Sequence, residues 1–251
     1  MSAKSSYNPY FQFIEKFLPG GVRDISNSDP LIQDIEKLTE TNNQFFYIGD
    51  LIKLKILYSS SRSRQLLGVA PEDMDPSVFF TCTHPDDLRR HSVARTKLFN
   101  LGQELFIEKR GYRLISTNFR FKHTSGDYIN TLVQCYLFFS EIPYRTVFIL
   151  QVSTDISWFK KNKQSYHLHV GDDLSFFRYP DKELLLKGNI FSAKEFEIIK
   201  LISTGMTSEQ IAKRTYRSVH TIDTHRRNIL KKSGKLSTTE LIHDLKERGM
   251  I

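Results

Sequence analysis

Eight basic residues crowd one short stretch: Lys213, Arg214, Arg217, Arg226, Arg227, Lys231, Lys232 and Lys235. Asp223 is the only acid among them, so the local net charge is +7, against +8 for all 251 residues. Such a concentration is the electrostatic footprint of a surface that binds a phosphate backbone. A solvated basic helix face is the plainer explanation of any charge run. It explains less here, because the run lies among helix start and stop signals. Positions 220, 223, 224, 227, 228 and 231 recur at helical spacing and share one face. That face carries His220, Asp223, Thr224, Arg227, Asn228 and Lys231, while Ile222, Ile229 and Leu230 form an apolar stripe opposite. An arginine fork can pair with a guanine edge, and a carboxylate can accept from a cytosine amino group.

Four short helices are predicted to position this face. Ser192-Ala193-Lys194-Glu195 reads as a capping box, in which serine and glutamate satisfy each other's backbone amides. Phe196, Ile199 and Ile202 follow at helical spacing, and Gly205 supplies a left-handed stop. Thr207-Ser208-Glu209-Gln210 is a second capping box, leading into Ile211 and Ala212. Ser218 caps a third helix that runs to Gly234. Ser237-Thr238-Thr239-Glu240 opens a fourth, through Leu241, Ile242 and Leu245 to Gly249. The punctuation reads as a helix-turn-helix within a four-helix bundle.

The segment FSAKEFEIIKLISTGMTSEQIAKRTYRSVHTIDTHRRNILKKSG resembles the LuxR/NarL-type helix-turn-helix. The matching residues are Phe191, Ser192, Glu195, Glu197, Gly205, Thr207, Ile211, Ala212, Ser218, Thr221, Ile222, His225, Asn228, Ile229 and Lys232. Two positions depart from the pattern. Gln210 stands where the family has glutamate, and Arg217 stands where an apolar residue precedes the serine cap. In helix-turn-helix proteins the second helix of the motif enters the major groove. The resemblance places base contacts at Asp223, Thr224 and Arg227. Thr221, Arg226, Asn228, Lys231 and Lys232 are then phosphate contacts, which fix register without reading sequence. Arg217 can snorkel and become one more. His225 either touches a phosphate or packs under the helix.

The charge is confined to this end. Residues 1–156 carry 18 basic and 17 acidic residues, whereas residues 191–251 carry 12 and 7. The two cysteines, Cys82 and Cys135, are too few for a disulfide framework or a cysteine-rich zinc site, and read as buried apolar residues in a reducing cytosol. No signal-like N-terminus and no membrane-length apolar run is present, so a soluble, cytoplasmic protein is expected.

The preceding residues alternate strand-like and helical runs. Residues 30–41 read as an amphipathic helix after Asp29. Gln44–Asp50 and Lys53–Ser59 read as a strand pair, Ser63–Leu67 as a short helix ending at Gly68, and His84-Pro85-Asp86-Asp87 as the start of a longer helix. Three strands follow: Arg113–His123, Tyr128–Phe139 and Thr146–Thr154. The alternation of Leu114, Ser116, Asn118 and Arg120 against Ile115, Thr117, Phe119 and Phe121 predicts a half-buried strand. This order, with the pieces HPDDL and FRFKHTSGDYI, resembles a PAS domain, a module that senses a ligand, holds a cofactor or forms dimer contacts. The reactive-cysteine context of flavin photosensors is lacking around Cys82. His91 falls about where haem-binding relatives carry their ligand, but within Arg89-Arg90-His91 it reads as a solvent-facing helical histidine. Phe45, Phe46, Tyr112, Phe119, Phe121, Phe138 and Phe148 either line a pocket or form a packed core. Tyr10, Phe11, Phe13, Phe17 and Leu18 make an apolar stripe near the N-terminus that either covers the sheet or dimerises. Tyr166–Val170 and Leu174–Tyr179 are β-like.

The expected class is α+β: a PAS-like antiparallel sheet with flanking helices, followed by an all-α four-helix domain. The expected division is a helical extension over 1–41, the PAS-like domain over 42–157, a linker over 158–190 and the DNA-binding domain over 191–251. The expected protein is a dimeric, sequence-specific transcription regulator that binds double-stranded DNA, with a small-molecule ligand and RNA polymerase as candidate further partners. No cofactor or metal is expected. A receiver domain is excluded because Asp86-Asp87 opens a helix and Asp172-Asp173 sits in a turn. No triad, metal spacing or glycine-rich phosphate loop points to an enzyme. The competing reading is a PAS adaptor that never touches DNA.

Overall fold

A computed structural model describes residues 28–158, 168–171, 190–247 and 250–251. The contacts divide the chain into an N-terminal and a C-terminal unit. The N-terminal apolar stripe, and the strand expected over Leu174–Tyr179, lie outside the described residues.

The N-terminal unit begins with α1 (Pro30–Thr41), capped by the Asp29 carboxylate, which accepts from the Leu31 amide at 2.9 Å. The sheet comprises β1 (Gln44–Asp50), β2 (Lys55–Ser59), β3 (Tyr112–Lys122), β4 (Tyr128–Ser140), β5 (Thr146–Asp155) and β6 (Leu168–Gly171). All pairings are antiparallel, in the order β2-β1-β5-β4-β3-β6. Between β2 and β3 come α2 (Ser63–Leu67), α3 (Val78–Cys82) and α4 (Leu88–Glu108). The α+β class and the PAS-like order of strand pair, helices and three strands are as expected.

Alternate residues of β1 face opposite layers. Phe46 and Ile48 join Ile32 and Ile35 of α1, with Phe138, Phe148, Leu150 and Val152, in one core. Phe45 and Tyr47 meet Phe79 of α3 on the other face. Strand β3 corrects an expectation: it is buried on both faces, with Ser116 and Asn118 as enclosed as Phe119 and Phe121. Small polar side chains can be buried when their hydrogen bonds are met, and both have partners. β6 falls within the stretch the sequence assigns to a linker and pairs with β3 from Thr117 to Leu114.

A buried ion pair fixes the entry to α4. Asp87 receives Arg120 Nη2 at 2.9 Å, Arg120 Nε at 3.0 Å and the Arg120 backbone amide at 2.9 Å. Burial alone would raise the Asp87 carboxyl, but the hydrogen bonds and charge of Arg120 outweigh it and hold it below the ordinary carboxylate range.

The C-terminal unit contains α5 (Ala193–Ser203), α6 (Ser208–Thr215), α7 (Val219–Ser233) and α8 (Thr238–Glu247). Both capping boxes form, at Ser192/Glu195 and at Thr207/Gln210, and Ser218 accepts from the Thr221 amide at 3.1 Å. Gln210 therefore keeps the capping function of the family's glutamate without its charge. At Ser237 the reciprocal bond shifts by one residue: Glu240 reaches the Leu236 amide rather than that of Ser237. Gly205 and Gly234 adopt φ of +85° and +65°, where a side chain would be strained. The core gathers Phe196, Ile199, Ile211, Ile222, Ile229 and Leu241.

Candidate nucleic-acid interface and buried cavity

Helix α7 separates its two stripes as its spacing predicts. Ile222 and Ile229 are fully buried, and Leu230 packs against the same core. His220, Asp223, Thr224, Arg227, Asn228 and Lys231 are all exposed on the opposite face. Arg227 and Lys231 form no ion pair among the described residues. The Thr224 hydroxyl donates to the His220 carbonyl at 2.9 Å. With its proton committed, that oxygen can only accept from a base edge. Asp223 is likewise an acceptor, so the face combines two acceptors with one arginine fork.

The expected phosphate contacts are less uniform. Lys232 donates to Glu195 Oε2 at 2.8 Å, tying the end of α7 to the start of α5. Glu195 is buried, and burial would raise its carboxyl, but the bonds from Lys232 and Ser192 hold it below the ordinary range. Arg217 reaches across the turn to His225 Nε2 at 3.1 Å, so His225 packs with the turn. Arg226 is half-buried, and its Nη1 is enclosed without a hydrogen-bond partner among the described residues. Thr221 shares a 2.8 Å hydrogen bond with the Ser218 cap. Lys235 lies 3.6 Å from Glu240 and 3.7 Å from Asp244. Lys213, Arg214 and Lys231 are exposed. The sequence reading missed Tyr216. It ends α6 at φ +54° and is 96% exposed in the turn. An aromatic between two arginines, where a helix must stop, was the available signal.

The N-terminal unit contains a cavity of about 20 Å³. Its walls come from α3, α4 and strands β3, β4 and β5. Of the seven aromatic residues considered for a pocket, Phe119 and Phe121 line it. Phe46, Phe138 and Phe148 belong to the core under α1, Phe45 stacks on Phe79, and Tyr112 is exposed.

His91 corrects a second expectation: it is buried, 3% exposed, and sandwiched between Phe80 and Phe119 at ring separations of 4.4 and 4.6 Å. The Thr83 hydroxyl donates its one proton to the Phe79 carbonyl, so His91 Nδ1 must donate to Thr83 Oγ1, 2.7 Å away. Nε2 is then the acceptor, receiving Arg95 Nε at 3.3 Å. Burial, then the Arg95 charge, depress its pKa to about 3, so the ring is neutral. Its Nε2 lone pair, which a haem iron would need, is engaged by Arg95. Arg95 was also missed. It sits one turn beyond His91, in the stripe formed with Ala94, Leu98, Leu101 and Leu105, and that spacing was its signal. Both cysteines have thiols raised by burial, Cys135 to about 12, and read as structural.

Residues 189–244 match the family described as bacterial regulatory proteins, luxR family. The segment 189–244 of the C-terminal unit is thus a luxR-type helix-turn-helix domain. No curated protein sequence matches the chain significantly. Among solved structures the chain is similar to a phage VqmA–DPO complex, at 13% identity over 87% of this chain and 88% of that one, with a TM-score of 0.36. It is similar to the Vibrio cholerae VqmA dimer, at 13% identity over 86% and 88%, with a TM-score of 0.34. The PAS-B domain of Drosophila melanogaster Cycle aligns at 14% identity over 44% of this chain and 98% of that one, with a TM-score of 0.33. No described helix is long and apolar enough to cross a membrane.

Proposed function

We propose that the chain is a sequence-specific transcription regulator, acting in the cytoplasm as a homodimer on double-stranded DNA. The observation that carries this reading is the exposed face of α7, where Asp223, Thr224 and Arg227 lie side by side and neither Asp223 nor Arg227 forms an ion pair among the described residues, within a luxR-type domain. Arg227 pairs with a guanine edge, and Asp223 and Thr224 accept from exocyclic amines. Arg217, Thr221, Arg226, Asn228 and Lys231 set the register on phosphates, with Lys232 divided between phosphate and Glu195. One bundle spans few base pairs, so two copies on two half-sites supply the affinity. The PAS-like domain supplies the input, by binding a small molecule or by dimerising, and RNA polymerase is the downstream partner.

The test is duplex binding by the full-length chain across a salt series. Three to five phosphate contacts per bundle, and two bundles per dimer, give a log–log slope of about −5 to −9. An adaptor that never touches DNA would show no such dependence and would overturn the proposal.

A further inference from the structure

The cavity has one feature that packing does not explain. Its polar lining groups are mostly committed to one another. His91 is bonded on both nitrogens. The Cys135 thiol donates to Gln151 Oε1 at 3.4 Å, and the Tyr47 hydroxyl donates to the same oxygen at 3.0 Å. Gln151 Nε2 donates to Ser153 at 3.2 Å. Two groups remain. The Thr117 hydroxyl is buried with no partner among the described residues. Arg95 is 9% exposed, gives Nε to His91, bonds the Tyr47 hydroxyl and lies over the Phe79 ring, yet meets no carboxylate within ion-pair distance among the described residues. Asp50, which borders a neighbouring cavity that Arg95 also borders, has its oxygens filled by Tyr144, Thr146 and the amides of Ile52 and Lys53.

A buried charge without a counter-ion is costly, and buried charges in proteins are paired. A single water fits the cavity and would satisfy Thr117, but it leaves the guanidinium charge uncompensated. Building on the reading of this unit as a small-molecule sensor, we propose that the cavity takes a compact carboxylate with a planar apolar body. Its carboxylate pairs with the guanidinium fork of Arg95 and accepts a bond from Thr117. Its planar part lies among Phe79, Phe119 and Phe121. The neighbouring cavity is also about 20 Å³, and Arg95 forms part of the wall of both. Neither space alone holds a ring, so binding of one requires the Arg95 side chain to move and join them.

The experiment is thermal unfolding of the full-length chain with acetate, benzoate or phenylacetate, each paired with its neutral amide, on wild type, Arg95→Met and Thr117→Val. At least one carboxylate is expected to raise the midpoint of the N-terminal unit by several degrees while its amide does not. Arg95→Met should abolish that shift, and Thr117→Val should reduce it. Without ligand, Arg95→Met should melt no lower than wild type, because removing an uncompensated charge offsets the lost bond to His91. An Arg95→Met protein that melts markedly lower, or fails to fold, would show Arg95 to be structural and overturn the proposal. Amides acting as well as carboxylates would overturn the anionic class and leave small-molecule sensing standing. No shift from any of the six compounds would remove both.

Discussion

Lys231 and Lys232 are adjacent in sequence and carry the same charge, but the structure gives them different tasks. Lys231 is exposed and free of ion pairs among the described residues; Lys232 is bonded at 2.8 Å to Glu195, whose side chain is 7% exposed. Replacing each in turn by glutamine should separate DNA binding from stability. Loss of Lys231 removes one phosphate contact from each protomer and should flatten the salt slope of the dimer by about 1.8 for all duplexes alike, with stability unchanged. Loss of Lys232 leaves the Glu195 carboxylate with the Ser192 amide, at 2.8 Å, as its remaining partner. A fully exposed pair is worth about 0.2–1 kcal/mol, and a hydrogen bond to a charged group about 1.5–3. With one partner buried and the other half-exposed, the expected cost is about 1–2 kcal/mol in the C-terminal unit. Denaturant unfolding would measure this, and a double-mutant cycle with Glu195→Gln should return most of it as coupling. Fluorescence anisotropy from 50 to 300 mM KCl, set as assay conditions in the range where counterion release is read, would give the slopes. Equal flattening by both variants, with no loss of stability from Lys232→Gln, would refute the division.

Three further outcomes follow from the same structure. Breaking the buried Asp87–Arg120 pair by Asp87→Ala should destabilise the N-terminal unit by about 2–3 kcal/mol, measured by denaturant unfolding, because the enclosed Arg120 keeps only the exposed Asp86, at 3.3 Å, as an acidic partner. His91 has a folded pKa of about 3, below the unfolded value, so the unfolded chain takes up its proton first as pH falls. Its contribution to stability is full above about pH 6.5 and declines toward pH 3, by about 2 kcal/mol at pH 5. The variant His91→Phe, which keeps the ring stacking but cannot titrate, should lack that part of the pH dependence in unfolding midpoints from pH 7.5 to 5. Light scattering of the full chain, with and without target duplex, should find a dimer; a strict monomer in both conditions would contradict two-half-site binding.

The C-terminal unit was legible because its signals are local. Ser192 and Glu195, or Thr207 and Gln210, satisfy each other three residues apart, and the alternation of Ile222 and Ile229 with the basic face is fixed by helical periodicity alone. The N-terminal strands were legible to within a residue or two at most ends for the same reason. What the sequence hid depends on residues far apart in the chain. His91 follows two arginines and looks solvent-facing, but Phe119, 28 positions later, closes over it. Arg120 meets Asp87 across 33 positions, and Lys232 meets Glu195 across 37. Strand β3 reads as half-buried by polarity, yet both faces are covered, so Ser116 and Asn118 are enclosed. The cavity was found in part: Phe119 and Phe121 were among its candidate residues, while Arg95 and Thr117 gain meaning only when α4 is laid on the sheet.

The central claim is that α7 reads base edges through Asp223, Thr224 and Arg227. Selection of duplexes from a random pool by the full-length chain, repeated with Arg227→Lys, tests it most directly. Lysine keeps the charge but loses the planar fork. A good bidentate pair discriminates by about 1–3 kcal/mol, so the wild type should enrich a motif with a guanine that the lysine variant no longer demands, while overall affinity is largely kept. If both proteins enrich the same motif at every position, Arg227 is a phosphate contact and the assignment is wrong; if neither enriches any motif, the chain does not read sequence through this helix.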